Sequence, residues 1–219
     1  MTLFDDLLID PPGSPPMPEP LAPGAVLLHR FAVAYEAELL SALDSITASS
    51  PFRHMVTPGG YVMSVGMTNC GALGWVSDKT GYRYDPIDPI TGKQWPALPE
   101  VFLKLADEAA GLAGFPAFIP DACLVNKYEI GAKLSLHQDR NEVDYNQPIV
   151  SVSLGIPAVF LFGGMKRADK QRRVSLTHGD VVVWGGPARL RYHGILPLKE
   201  AHHTLAGNCR INLTFRKAG

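Results

Sequence analysis

No run of about 18 apolar residues interrupts this chain, which argues against a membrane-spanning helix and predicts no membrane partner. The opening residues, Met1-Thr2-Leu3-Phe4-Asp5-Asp6, lack the basic start and small-residue cleavage site of an export signal, so the expected location is cytoplasmic. Cysteine is scarce: Cys70, Cys123 and Cys209 are odd in number and far apart, which suits reduced structural thiols better than a disulfide frame or a zinc knuckle. Net charge is nearly absent as well. At a formal −1 the protein has no overall attraction for nucleic acid, and any such binding must rest on local basic patches. No internal repeat is visible. What remains is a 219-residue chain with 46% hydrophobic residues, enough for one well-buried core in one domain.

From Pro11 to Pro23, prolines crowd together with Gly13 and Ser14, a composition that cannot continue a helix or sheet. Residues 1–24 are therefore expected to form a flexible proline-rich arm, and 25–219 a single domain. Helical patterning predicts supporting helices around Ala34 to Ile46 and around Pro99 to Ala110, where Val101, Leu105 and Ala109 recur at helical spacing. Between them, about 51–96 is rich in Gly, Pro, Tyr and Met, with strand-like pieces such as Tyr61 to Val65, and reads as a substrate-facing lid. From about 121 to 219 the pattern is nearly all β. Strands are expected at Ile149 to Leu154, Ala158 to Phe162, Asp180 to Trp184, Leu190 to His193 and Arg210 to Arg216. The expected class is mainly β with supporting helices (α+β), with a jelly-roll core like that of cupins.

Two polar patterns stand out. His137-Gln138-Asp139 places an imidazole and a carboxylate at i and i+2, on one side of an extended chain. With His193 as a third donor, the set would leave three octahedral positions open, as non-haem iron(II) oxygenases require. A three-ligand zinc site has the same composition. A second His-x-Asp pair, His178-Gly179-Asp180, reads as a turn in which Asp180 satisfies backbone donors, and His202 and His203 read as solvated. Near the C-terminus, Arg210 to Arg216 alternates strictly, with Arg210, Asn212, Thr214 and Arg216 on one face. That face is either a solvated edge or a grip on a short dicarboxylate, for which the planar fork of arginine is suited. Lys166, Arg167, Lys170, Arg172 and Arg173 form the densest basic run, a solvated loop or a phosphate contact.

These residues lie within a wider resemblance. The chain resembles the bacterial AlkB family of iron(II)- and 2-oxoglutarate-dependent dioxygenases over nearly all its length after the arm. The likeness runs through Pro58-Gly59-Gly60-Tyr61, Met67-Thr68-Asn69-Cys70-Gly71, Pro86-Ile87-Asp88-Pro89, Pro120-Asp121-Ala122-Cys123-Leu124 and Leu134-Ser135-Leu136-His137-Gln138-Asp139. It continues in Gly179-Asp180-Val181-Val182-Val183-Trp184-Gly185-Gly186 and Asn212-Leu213-Thr214-Phe215-Arg216.

The resemblance implies a double-stranded β-helix with a nucleotide-recognition lid. It implies His137, Asp139 and His193 as iron ligands, and Asn126, Tyr128, Arg210, Asn212 and Arg216 as the 2-oxoglutarate contacts. It implies Trp75 beside an extruded base, Tyr82 and Tyr84 near the nucleotide backbone, and Arg167 as a further substrate contact. Asn141 departs from the pattern, because the family usually carries an acid there, near the base's exocyclic amino group. That departure puts base preference in doubt; Glu142 and Asp144 lie close in sequence.

The activity implied is oxidative dealkylation of bases such as 1-methyladenine and 3-methylcytosine in single- or double-stranded DNA, with RNA as another substrate. It consumes dioxygen and 2-oxoglutarate and yields succinate, carbon dioxide and formaldehyde. A monomer is the family-level expectation. The alternatives are a related oxygenase acting on transfer RNA, protein or a small metabolite, and a cupin-type module that binds metal without turnover.

Overall fold

The computed structural model describes residues 18–219. In chain order the strands are β1 (Glu19–Ala22), β2 (Ala25–Leu28), β3 (Arg53–Val56), β4 (Val62–Gly71), β5 (Gly74–Asp78), β6 (Gly81–Asp85) and β7 (Ala122–Tyr128). They continue with β8 (Leu134–His137), β9 (Ile149–Gly155), β10 (Ala158–Phe162), β11 (Arg172–Leu176), β12 (Val181–Trp184), β13 (His193–Ile195) and β14 (Arg210–Arg216). Two helices, α1 (Glu36–Ser49) and α2 (Glu100–Leu112), stand against them.

The strands make an eight-stranded sheet in the order β1-β2-β12-β9-β14-β7-β4-β3, a four-stranded sheet in the order β11-β10-β13-β8, and a β5-β6 ribbon. All pairings are antiparallel. Strand alternation divides the side chains between two cores. On one face of the large sheet Val125, Val150, Val152, Val181, Val183, Leu213 and Phe215 pack with Leu39, Leu43, Ile46, Phe102 and Leu105 of the helices. On the other face Leu124, Tyr128, Ile149, Val182 and Trp184 meet Phe160, Phe162 and Ile195 of the small sheet.

Leu39, Leu43 and Ile46 line one face of α1 at i, i+4 and i+7, and Pro51 follows the helix end, where it cannot extend the hydrogen-bond ladder. The buried face of α2 is Phe102, Leu105, Ala106, Ala109 and Ala110, with Val101 partly buried against the same core. Burying a side chain such as Leu213 or Phe215 is worth about 1.5–3 kcal/mol. Phe215 meets Phe102 edge to face at 5.5 Å, so Phe215→Ala would cost about 3–5 kcal/mol.

Several expectations are corrected. Most of the proline-rich arm, residues 1–17, lies outside the described residues, but its end is part of the sheet: Glu19–Ala22 pairs with β2. Arg172 fixes that edge strand, bonding the Glu19 carboxylate and the Pro20 carbonyl. The basic run is accordingly not all loop, since Arg172 and Arg173 begin β11 opposite Phe162 and Leu161. In the region 51–96, expected to form a substrate-facing lid, β3 and β4 extend the large sheet through β7, and the β5-β6 ribbon forms a separate two-stranded sheet. The strand expected over 190–193 is displaced to His193–Ile195 by a turn of 3-10 helix at Gly186–Ala188.

Candidate metal and cosubstrate site

The small sheet sets the metal group. His137 ends β8 and His193 opens β13, and the two are direct partners across that ladder. Gly194 permits this close pairing, because a Cβ there would meet the Leu134 carbonyl oxygen at 2.7 Å. Asp139, two residues beyond His137, turns back into the same space. One donor atom from each of His137, Asp139 and His193 lies within 4.8 Å of the others. The His137 Nδ1 lies 2.9 Å from the Ser135 carbonyl, and the His193 Nδ1 lies 3.0 Å from the Arg191 carbonyl. Since a carbonyl only accepts, both Nδ1 atoms carry the proton, and both Nε2 lone pairs face Asp139. Burial, reinforced by the His137 imidazole, pushes the His193 pKa down to about 4, so His193 is neutral and able to ligate. Burial alone would raise the Asp139 pKa, but Arg216 and the two imidazoles hold it well below the usual carboxylate range.

The large sheet supplies the other wall. The polar face of β14 is buried rather than solvated, because the strand lies between β9 and β7 with the small sheet facing it. Arg216 donates from Nε and Nη2 to Asp139 Oδ2 at 3.0 and 2.7 Å. Arg210, only 1% exposed, has no carboxylate partner among the described residues: Nε donates to Ser153 Oγ at 2.8 Å, the guanidinium lies 5.0 Å from the Tyr128 ring, and Nη1 meets no acceptor there. Asn126 donates to Asn212 Oδ1 at 3.2 Å, and among the described residues its own Oδ1 has no donor. Asn212 is steadied by Ser151, Val152 and Thr214. A buried cation lacking a counterion is costly unless a ligand completes it. The orphaned Arg210 donor, lining the same cavity as the metal group, fits a carboxylate of a short dicarboxylate.

Above this floor opens a cavity of about 840 Å³. Trp75, Tyr82, Asn141 and Arg167 line it, as do all eight of the expected metal and cosubstrate residues. Trp75 stacks on Tyr82 at 5.6 Å between ring centroids, and its indole N–H donates to Asn141 Oδ1 at 3.2 Å. Tyr84 is not brought into the cavity; its hydroxyl turns inward to Glu142 at 2.7 Å.

Reading the sequence did not find the support beneath Asp139. Arg189, 2% exposed, donates to the Asp139 carbonyl at 3.0 Å, to Glu142 Oε2 at 3.0 Å and to the Gln147 carbonyl at 3.1 Å. Glu142 is thus held by Arg189, Tyr84 and Arg216, and Asp144 caps Asn146. Neither acid faces the cavity. Arg189, in a Gly-Gly-Pro-Ala-Arg stretch, has no sequence signal separating it from a surface loop cation. The second His-x-Asp pair is structural: Asp180 accepts the backbone N–H of Arg30 and Thr177, and His178 Nδ1 accepts that of Gly155. His203 is not simply solvated, for its ring stacks on His178 at 4.2 Å.

With a facial group of two histidines and one aspartate beside an unpaired buried arginine, the comparison with known proteins is decisive. Residues 24–216 match the 2OG-Fe(II) oxygenase superfamily. The chain is 60% identical to "Alpha-ketoglutarate-dependent dioxygenase AlkB" of Escherichia coli (strain K12) over 93% of its length and 94% of that protein's. The chain belongs to the bacterial AlkB family of iron(II)- and 2-oxoglutarate-dependent dioxygenases. An AlkB homologue of Caulobacter vibrioides is 43% identical over 85% of this chain and 83% of its own. Among solved structures, OsALKBH1 is 32% identical with a TM-score of 0.79, covering 91% of this chain and 99% of that one. The jelly-roll core and the iron, 2-oxoglutarate and dioxygen chemistry follow from this membership.

Proposed function

We propose that this dioxygenase removes N-alkyl groups from nucleobases in DNA or RNA. The observation that carries the reading is the cavity mouth. A flat aromatic pair, Trp75 on Tyr82, stands beside Lys133 and Arg167 over a buried oxidation site. An aromatic face accepts any base, while nearby cations accept phosphate. Relatives described as "Nucleic acid dioxygenase ALKBH1", from Mus musculus and Homo sapiens, align with 56% of the chain at 31% and 29% identity.

In this reading His137, Asp139 and His193 hold iron(II), and Arg210 with Asn126 and Tyr128 receives the far carboxylate of 2-oxoglutarate. Arg216 and Asn212, which line the same cavity, would contact the rest of the cosubstrate. Together, iron(II) and 2-oxoglutarate supply the oxidation of the alkyl carbon by dioxygen, with succinate and carbon dioxide as coproducts. The protein's own work is placement. Arg216 and Arg189 fix Asp139, the carbonyl contacts of the two imidazoles would leave their Nε2 atoms free to hold iron(II), and Trp75 would stack on an extruded base. Stacking of about 1–3 kcal/mol per base offsets part of the cost of removing it from a helix. A hydroxylated N-methyl group then expels formaldehyde and restores the base.

The test is a coupled assay on single-stranded oligonucleotides carrying N-methylated bases, with iron(II) and 2-oxoglutarate. The expected result is formaldehyde and succinate in equal amounts. Succinate formed without loss of methyl from any base would point instead to a protein or small-metabolite substrate. No succinate at all would indicate a binding module.

A further inference from the structure

Arg210 is braced by a part of the molecule that the oxidation site does not otherwise use. It donates to Ser153 and stands opposite Gly155 across the β9-β14 ladder. On its other side, this end of β9 is held by the turn after β11. Gly179 N–H donates to the Ser153 carbonyl at 2.8 Å, and Ser153 N–H donates to the Asp180 carbonyl at 2.9 Å. At the next rung a side chain replaces the strand: Gly155 N–H donates to His178 Nδ1 at 2.9 Å. Gly155 is buried, so without that imidazole a backbone donor is orphaned. The space toward β14 is already filled, since a Cβ on Gly155 would meet the Cys209 carbonyl oxygen at 2.3 Å.

This contact fixes the protonation state of His178. A backbone N–H only donates, so Nδ1 holds a lone pair, and the single ring proton is on Nε2, 2.5 Å from Glu36 Oε1 on α1. The His203 ring stacks on His178 at 4.2 Å and 14°. His203 Nδ1 likewise faces two backbone donors, Leu205 N–H and Ala206 N–H, at 3.3 and 3.4 Å. Burial and the His178 imidazole lower the His203 pKa, with Glu36 opposing them and His202 adding to them. His202 itself turns to Asn208. Asp180 accepts the backbone N–H of Arg30 and Thr177 and has His29 3.8 Å away, which leaves Glu36 as the carboxylate paired with the stack. A second proton on His178 would enter at Nδ1 and point at the Gly155 N–H. Two donors would then face each other, and the bond would be lost.

We infer that His178 is a positioning residue for the cosubstrate: singly protonated and held by Glu36, it completes the hydrogen bonds of the β9 end that braces Arg210, and a second proton releases that end and weakens the grip on 2-oxoglutarate. The inference rests on Arg210 as the receiver of the far carboxylate. His178 does not line the cavity, so its effect falls on the KM for 2-oxoglutarate rather than on the metal group.

The experiment measures that KM, with iron(II) saturating, between pH 7.5 and 5.5, across the ordinary imidazole range. It compares the native enzyme with His178→Asn, His178→Leu and Glu36→Gln. Asparagine places an acceptor oxygen near the position of Nδ1 and takes up no proton. The native KM is expected to rise about five- to tenfold as pH falls, as an unpaired buried donor allows. His178→Asn should keep the native KM at pH 7.5 and flatten the rise, whereas His178→Leu should show the raised KM at every pH. Glu36→Gln, which removes the charge favouring an imidazolium, should move the rise to lower pH. Titration of His137 and His193 is common to all four proteins and cancels in the comparison. NMR of metal-free protein labelled at glycine nitrogen gives a measure independent of turnover: the Gly155 amide should titrate with the His178 ring and stop doing so in His178→Asn. The proposal is overturned by a pH dependence that His178→Asn retains, by a KM that His178→Leu leaves within twofold of native at pH 7.5, or by a Gly155 amide that does not titrate. If Arg210→Ala also kept a normal KM, the reading of Arg210 would fall and this proposal with it.

Discussion

The floor and the mouth of the cavity are built on opposite principles. At the floor, every charged side chain except Arg210 has a buried partner, and each metal-facing atom is aimed by a second bond: His137 by Ser135, His193 by Arg191, Asp139 by Arg216 and Arg189. At the mouth, Tyr61, Val62 and Tyr82 are exposed, and the Trp75 indole stacks on Tyr82 and donates one 3.2 Å hydrogen bond to Asn141. Oxidation tolerates little displacement of its reacting groups, and low-dielectric burial keeps them fixed. Selection among substrates is a difference of a few kcal/mol and is retuned by single exposed residues. The two regions should therefore fail differently when altered.

The largest effect belongs to the floor. Replacing His137, Asp139 or His193 by Ala should reduce succinate formation to less than about a tenth of native, since even residues behind a ligand change affinity 10–100-fold. Activity above that level in any of the three would remove that residue from the metal group.

Arg189 sharpens the comparison, because it touches neither metal nor cosubstrate and yet belongs to the floor. Arg189→Met should weaken iron(II) affinity by roughly 10–100-fold by freeing the Asp139 carbonyl and removing the nearer of the two cations that hold Glu142. Glu142→Gln, which removes the buried charge and keeps contacts to Tyr84 and Arg216, should recover part of the affinity when combined with it. If Arg189→Met bound iron(II) normally, the ion-pair layer would be scaffolding alone.

Arg210→Ala should raise the KM for 2-oxoglutarate by roughly 10–100-fold, as losing a charge-assisted hydrogen bond of about 1.5–3 kcal/mol implies. Iron(II) affinity of the same variant should hold. A normal KM would show that the orphaned guanidinium serves something else.

At the mouth, Trp75→Ala should cost about 1–3 kcal/mol in oligonucleotide affinity and leave the affinity for 2-oxoglutarate unchanged. A fall in both would mean that floor and mouth are one mechanical unit.

The smallest effect concerns the support of the mouth. Arg53 on β3 donates to Asp88 at 2.8 Å and lies 5.0 Å from the Trp95 ring, tying the loop after β6 to the large sheet. Burial opposes ionisation of Asp88, but Arg53, the Ile90 N–H and Thr91 outweigh it and hold the pKa below the usual carboxylate value. For an acid with a depressed folded-state pKa, the stabilisation is present above the unfolded value and is lost as pH falls through the folded one. Asp88→Asn should lower the Tm by a few degrees at pH 7, and this difference from native should shrink below about pH 4. A difference independent of pH would assign the effect to packing.

The order of legibility follows the range of the forces involved. Strict alternation in Arg210 to Arg216 and the apolar runs at Ile149 to Leu154 and Ala158 to Phe162 foretold their strands, because side-chain period is a local property of a strand. The i, i+2 spacing of His137 and Asp139 likewise put two metal donors on one side, and the motifs carried the third. Period could not say whether the polar face of β14 met water or protein; its place between β9 and β7 decided that. Nor could it show that the chain from Glu19 joins a sheet, or that much of 51–96 does. Strand partners come from distant segments and are fixed by the register of the whole sheet. The charge environment belongs wholly to the tertiary structure. Sequence gave Glu142 and Asn141 as neighbours without direction; folding turned Glu142 inward onto Arg189 and left Asn141 at the mouth, with its oxygen bound to Trp75. Backbone pattern is written residue by residue, whereas the pairing of buried charges depends on which side chains from remote strands reach the same few ångströms.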